Sequence, residues 1–255
     1  MSSLSSLPVL LKELRLGGFT KHWEALAQKS VDEQWLPQEY LAKLCEQEAS
    51  ARYYKRVLRM TRESKLPPAK SLSSFNYNDI KSIQQNQIDH LIHDVQWVHQ
   101  ADNILLFGPS GVGKTHLAAG LGYALIEKNI RVKFFTATAL VQSLQKSRDE
   151  LCLADALNRL DKYAVLILDD IGYVKKSEME TQVLFELIAH RYETGTMIVT
   201  SNHAFSEWDK IFDDNMMTVA AIDRLVHHAT ILELDAESYR KKESLKRKEK
   251  AMKTK

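Results

Sequence analysis

The chain has 255 residues, 44% of them apolar, and a formal net charge of +2. That length suits one sizeable α/β domain with a smaller companion, and the near-balance of charge excludes an unfolded polyelectrolyte and leaves any nucleic-acid partner to be argued from local clusters. Cys45 and Cys152 stand apart without zinc or disulfide spacing, which fits a reducing cytoplasm; no basic leader precedes the apolar stretch of MSSLSSLPVLLKELRL and no apolar run is long enough for a bilayer, so neither signal peptide nor membrane span is expected.

From Leu10 to Met60 the pattern is helical, with Pro37 placed near a helix start and Leu41, Cys45, Ala49, Tyr53 and Val57 recurring every fourth residue as the apolar face. Arg52, Lys55, Arg56, Arg59 and Arg62 gather on the opposite face, a stripe that could neutralise DNA phosphates without base readout. The segment SKLPPAKSLSS, Ser64 to Ser74, breaks the periodicity with prolines and serines. The expected organisation is a helical DNA- or partner-binding domain over 1–66, a linker over 67–78, an α/β domain over 79–238 and a basic tail over 239–255.

His90 and His93, with Asp94 nearby, lie on an expected helix and lack a third ligand at coordinating spacing, so they read as surface residues. Beyond them, apolar runs alternate with amphipathic stretches, the signature of an α/β fold around a parallel sheet. The expected strands are Asn103 to Phe107, Val132 to Thr136, Ala164 to Leu168, Thr196 to Thr200 and Thr230 to Leu234. Helices are expected to start at Gly113, Ala137, Ala154, Ser177 and Phe205. The four tryptophans read as core or interface anchors, and His227 and His228 as packing or intersubunit residues.

The motif GPSGVGKT, Gly108 to Thr115, sits between the first of those runs and a helical pattern. Its glycines let the backbone curl so that the N–H groups of Gly108, Pro109, Ser110, Gly111, Val112 and Gly113, proline excepted, can face phosphate oxygens at a helix N-terminus. Lys114 supplies a cation for the β and γ phosphates, Thr115 offers its hydroxyl to Mg²⁺, and His116 closes the set. After the run AVLIL, Asp169 is placed to hold the metal with Thr115, and Asp170 to orient or deprotonate water. The run TMIVTSN ends on Asn202, a candidate for holding water or the γ-phosphate, and Arg224 in AAIDRLVHH is a candidate cation for the phosphoryl oxygens. ATP and Mg²⁺ are therefore the expected cofactors.

Taken in order, GPSGVGKT, LILDD, TSN and DRL resemble the Walker A, Walker B, sensor 1 and arginine-finger elements of the AAA+ ATPases. LRLGGFTKHWEAL, YLAKLCEQEASARYYKRVLR and LPPAKSLSSFNY extend the resemblance over nearly the whole chain to the IstB-like helpers of insertion-sequence transposases, and next to the DnaC-type helicase loaders. The resemblance implies an AAA+ P-loop sheet of order 5-1-4-3-2 and a nucleotide shared between subunits with Arg224 acting in trans; in a departure from larger relatives, too few residues follow the strand at Thr230 to Leu234 for a full C-terminal lid. It implies an ATP-dependent homo-oligomer on duplex DNA serving an integrase-type transposase, the alternative being a loader of a replicative helicase onto single-stranded DNA. It also implies that Phe75 and Tyr77 line the adenine site. Asp170 stands where many AAA+ proteins have Glu, which predicts slow hydrolysis. Arg240, in the basic tail, is left outside the site.

Overall fold

A computed structural model describes residues 6–80, 82–172, 177–203, 207–208, 215–236 and 238–239. The expected helix start at Phe205 and the tail beyond Tyr239, Arg240 included, lie outside them. The chain divides into two compact units, Met1–Met60 and Thr61–Lys255.

The first unit holds α1 (Leu7–Glu13), α2 (Gly17–Asp32) and the greater part of α3 (Pro37–Ser64), which begins at Pro37 as expected. What packs α2 onto α3 is a close approach: a Cβ on Gly18 would lie 2.7 Å from the Glu48 Cα, so only glycine fits. Glu48 is buried there, accepting the Gly18 N–H at 2.5 Å and the Arg52 Nε–H at 2.6 Å. The carboxylate thereby caps the N-terminus of α2 from a neighbouring helix. Leu44 and Glu48 face inward, whereas Leu41 is 54% and Tyr53 43% exposed, and Cys45 and Ala49 are exposed too. The fourfold-spaced apolar face is thus the outer one, because packing is set by Gly18 and by the capping carboxylate rather than by that stripe.

The second unit begins within the last turns of α3, upstream of the prolines. Glu63 there accepts Lys133 Nζ on its carbonyl at 2.8 Å and pairs its carboxylate with Arg131 at 3.3 Å. The stretch after α3 is held down along its length. Tyr123 donates to the Pro67 carbonyl at 3.2 Å, Leu72 packs against Gly120, and Phe75 is buried; single 3₁₀ turns form at Leu72–Ser74 and Tyr77–Asp79. The reason is its apolar residues, which a composition of proline and serine conceals.

Then follow α4 (Gln85–His93), α5 (Gln96–His99), β1 (Asn103–Phe107), α6 (Lys114–Glu127), β2 (Val132–Thr136), α7 (Ala137–Asp149), α8 (Leu153–Leu160), β3 (Val165–Asp169), α9 (Glu178–Arg191), β4 (Thr196–Ser201), α10 (Asn215–His227) and β5 (Ala229–Glu233). The strands form one parallel sheet in the order β2-β3-β4-β1-β5, which is the expected 5-1-4-3-2 read from the other edge. β1, β3 and β4 are buried at every position, as a sheet covered on both faces requires. β3 and β5 are displaced from expectation by a residue each, and β4 runs one residue further, to Ser201. Ser177 caps α9 in a reciprocal arrangement with Glu180, which fixes the helix where its sequence predicts.

Asn103 ties the start of β1 to two other elements. Its side chain donates to the Leu225 carbonyl of α10 at 3.1 Å and accepts the Met197 N–H of β4 at 2.9 Å, while its own N–H donates to the His228 carbonyl at 2.6 Å. Trp97 and Trp208 are buried in this unit, whereas Trp23 and Trp35 of the first are half-buried. Both cysteines are free. No helix among the described residues is long and apolar enough to cross a membrane.

Candidate nucleotide site

All five strands are parallel, so their C-terminal ends open on the same side, and ligands of such sheets bind there. β1 ends at Phe107 and runs straight into the glycine-rich loop. Gly108, Gly111 and Gly113 take φ values of 143°, 85° and 108°, which side-chain-bearing residues rarely adopt. At Gly108 a Cβ would also collide with the Leu234 carbonyl at the end of β5. The loop therefore curls tightly, and α6 starts at Lys114 with its N-terminus aimed into the concavity.

Lys114 is only 6% exposed. Its ammonium donates to the Gly108 carbonyl at 2.7 Å, the Pro109 carbonyl at 2.8 Å and Asn202 Oδ1 at 2.5 Å. Asn202, just beyond β4, donates its Nδ2 to Asp170 Oδ1 at 2.9 Å. Asp170 sits at φ 66°, a left-handed turn immediately after β3, and its N–H donates to Thr200 Oγ1 at 2.8 Å. Thr200 in turn donates to Asp169 Oδ1 at 2.7 Å, and the other oxygen of Asp169 accepts the Thr115 hydroxyl at 3.1 Å. Since Thr115 follows Lys114 in the chain, these bonds form a closed ring through Lys114, Asn202, Asp170, Thr200, Asp169 and Thr115. Such a ring couples its members, because Lys114, Asn202, Thr200 and Asp169 each make at least two hydrogen bonds through their side chains.

The ring borders a cavity of 790 Å³, lined by the glycine-rich loop, His116, Asp170, Thr200 and Asn202 on one side and by Lys70, Phe75, Asp79 and Tyr239 on others. The volume suits a small polyphosphate ligand. Phe75 enters the lining; Tyr77 stacks edge-on against it at a centroid distance of 4.9 Å from outside the cavity wall. His116 faces Phe75 at 5.3 Å and bonds through Nε2 with the Ser71 carbonyl at 2.9 Å. Thr115 and Asp169 present hard oxygen donors of the kind Mg²⁺ selects.

The structure brings Gly108 to His116, Asp169, Asp170 and Asn202 together. Arg224 is the exception. It lies exposed on α10 and does not line the cavity of its own chain. Thr200 is the member sequence reasoning missed, since a threonine inside a buried strand reads as an ordinary β-former. Asp79, Lys70 and Tyr239 were likewise unforeseen. On α3, Lys55, Arg59 and Arg62 are exposed, but Arg52 is engaged with Glu48 and with the Arg15 carbonyl at 3.3 Å, and Arg56 is half-buried with its guanidinium 5.6 Å from the Tyr53 ring. His90 and His93 are exposed on α4.

Residues 9–247 match the family of IstB-like ATP binding proteins. The chain is 44% identical to a putative insertion sequence ATP-binding protein of Sinorhizobium fredii over 242 residues, covering 95% of this chain and 81% of that one. With the insertion sequence IS21 putative ATP-binding protein of Pseudomonas aeruginosa the identity is 34%, over 95% and 91% of the two chains. The DnaC helicase loader superposes with a TM-score of 0.55 at 22% identity, over 65% of this chain and 97% of its own, a likeness of fold. The architecture is that of the AAA+ P-loop proteins.

Proposed function

Because the chain belongs to the family of IstB-like ATP-binding proteins, we propose that it hydrolyses ATP with Mg²⁺ and uses the cycle to assemble on duplex DNA and deliver that DNA to an integrase-type transposase. The observation that carries the reading is the closed ring of hydrogen bonds from Lys114 to Thr115. It joins the loop that holds phosphates to the ends of β3 and β4, so the groups that bind the nucleotide and those that place water answer to one another.

In this reading the loop N–H groups and the Lys114 ammonium hold the β and γ phosphates. Thr115 and Asp169 hold Mg²⁺, which when bound spreads charge from the phosphate oxygens. Asp170, fixed by Asn202, accepts the proton of the attacking water. Its carboxylate is one methylene shorter than the glutamate common in this fold, and turnover is accordingly slow. Phe75 packs beside the base. Arg224, outside its own chain's cavity, completes the site of an adjacent subunit, so ATP favours the oligomer by linkage. DNA is held through its phosphates by Lys55, Arg59 and Arg62 of α3, with Arg52 as a structural member of that stripe. The relatives named for insertion sequences support placing the chain in that context.

Sedimentation and steady-state turnover with ATP and duplex DNA test this. Arg224→Ala is expected to bind ATP normally but to lose roughly 10³-fold in turnover, and to regain activity when mixed with Lys114→Ala subunits that contribute an intact Arg224. A monomer that hydrolyses ATP normally without Arg224 would sink the shared site. Capture of a replicative helicase in place of the transposase would reassign the partner.

A further inference from the structure

α9 and α10 run to a common corner, where Tyr192 and Glu193 follow the last turn of the one and His227 and His228 close the other. A carboxylate oxygen of Glu193 and one nitrogen from each imidazole lie within 4.8 Å of one another. We propose that this corner is a binding site for a divalent transition-metal ion of the zinc type, distinct from the nucleotide site.

Four observations bear on it. Two imidazoles and one carboxylate make a ligand set that selects Zn²⁺, Co²⁺ or Ni²⁺ over Mg²⁺, and three protein ligands leave a coordination position for water or a further donor. The Tyr192 hydroxyl bonds His227 Nδ1 at 2.9 Å, the kind of outer partner that fixes the orientation and protonation of a ligating imidazole. The His227 and His228 rings stand only 4.1 Å apart, close enough for both to face a single ion. Finally, helices of 14 and 13 residues both end here, and their C-terminal dipoles favour positive charge.

The corner is also held in place. The His228 carbonyl accepts the Asn103 N–H of β1, so the backbone bearing one ligand is fixed to the sheet. Glu193 sits at φ 58°, in the left-handed turn that brings its carboxylate back toward α10. An ion bound there would pin the last turn of α10, which carries Arg224.

The probe is Co²⁺ added to tag-free, metal-stripped, nucleotide-free full-length protein, followed by its visible d–d absorption and by calorimetry. One ion per chain with the intense d–d band of four- or five-coordinate Co²⁺ is expected, displaced by Zn²⁺. His228→Gln should abolish the band, and Tyr192→Phe should weaken affinity about tenfold at unchanged stoichiometry. Zn²⁺ should raise the melting temperature of the parent protein and leave that of His228→Gln unmoved. Should His228→Gln fold poorly, Glu193→Gln, on an exposed turn, must lower Co²⁺ affinity at least tenfold. No band in the parent protein, a band that survives in His228→Gln, affinity unchanged in Glu193→Gln, or an adventitious ion only, bound at millimolar concentration and indifferent to these changes, each overturns the site.

Discussion

Two buried cations stand at opposite ends of the same sheet, and both are held largely by backbone carbonyls. Lys114, at the C-terminal end of the strands, bonds the Gly108 and Pro109 carbonyls and Asn202. Arg191, 2% exposed near their N-terminal end, donates to the carbonyls of Tyr163 at 3.0 Å, Ala164 at 2.9 Å and Thr196 at 3.2 Å. The difference lies in what surrounds them. Lys114 borders a cavity, whereas Arg191 is sealed, its guanidinium filling the space that a side chain on Gly195 would need. Burial pushes the Arg191 guanidinium below its ordinary value, and Asp161 beside it pulls the other way. A buried cation with an opening in front of it is available to a ligand; one without is part of the wall.

Substitution at the sealed end should have the largest effect on folding. Arg191→Ala withdraws donors from three carbonyls and leaves a void, and should cost about 3–5 kcal/mol in denaturant unfolding. If the variant were nearly as stable as the parent, the corner would not be sealed. Lys114→Ala should behave oppositely: its carbonyl partners belong to half-buried Gly108 and exposed Pro109 and can turn to water, so unfolding should shift by less than about 1 kcal/mol. ATP affinity, measured by calorimetry, should fall roughly 30- to 150-fold, about 2–3 kcal/mol, through the lost charge-assisted contact. Thr200→Val sharpens the contrast within the ring itself. It removes the hydroxyl that holds both Asp169 and the Asp170 N–H, and should cost about 1–2 kcal/mol of stability while weakening Mg²⁺-dependent ATP binding more than Mg²⁺-free binding.

The smallest effect concerns Glu48, the buried anion of the helical unit. Burial pushes its carboxyl upward, but the Arg52 guanidinium and the Gly18 N–H outweigh that and hold it below the ordinary carboxylate value. A depressed folded-state value means stability that is present above the unfolded value, about 4.3, and lost as pH falls through the folded one. Thermal melts of the parent chain taken from pH 6 downward should show stability falling as this carboxylate takes up its proton, and Glu48→Gln should flatten that dependence. An unchanged slope would remove Glu48 from the cap.

These cases also separate what the amino-acid order reveals from what it hides. GPSGVGKT, Asp169 and Asp170 are legible because each motif is contiguous and its neighbours announce a strand end or a helix start. The sheet is legible for the same reason, its buried strands being unbroken apolar runs. Thr200, Arg191 and Glu48 are not, since each acts through partners from distant segments, and a threonine in a strand, an arginine ending a helix and a glutamate within one all have ordinary local readings. The outward turn of Leu41 and Tyr53 belongs with them. Periodicity shows that α3 has an apolar stripe but not which face a neighbouring helix will choose, and here a glycine and a carboxylate decide.

Asn103 gives the sheet a mechanical property as well. Through it, β1 is a short strut, bonded at one end to the finish of α10 and continuous at the other with the glycine-rich loop. A tug on Arg224 from outside the molecule therefore has a stiff load path to Gly108, five buried residues long and without a hinge.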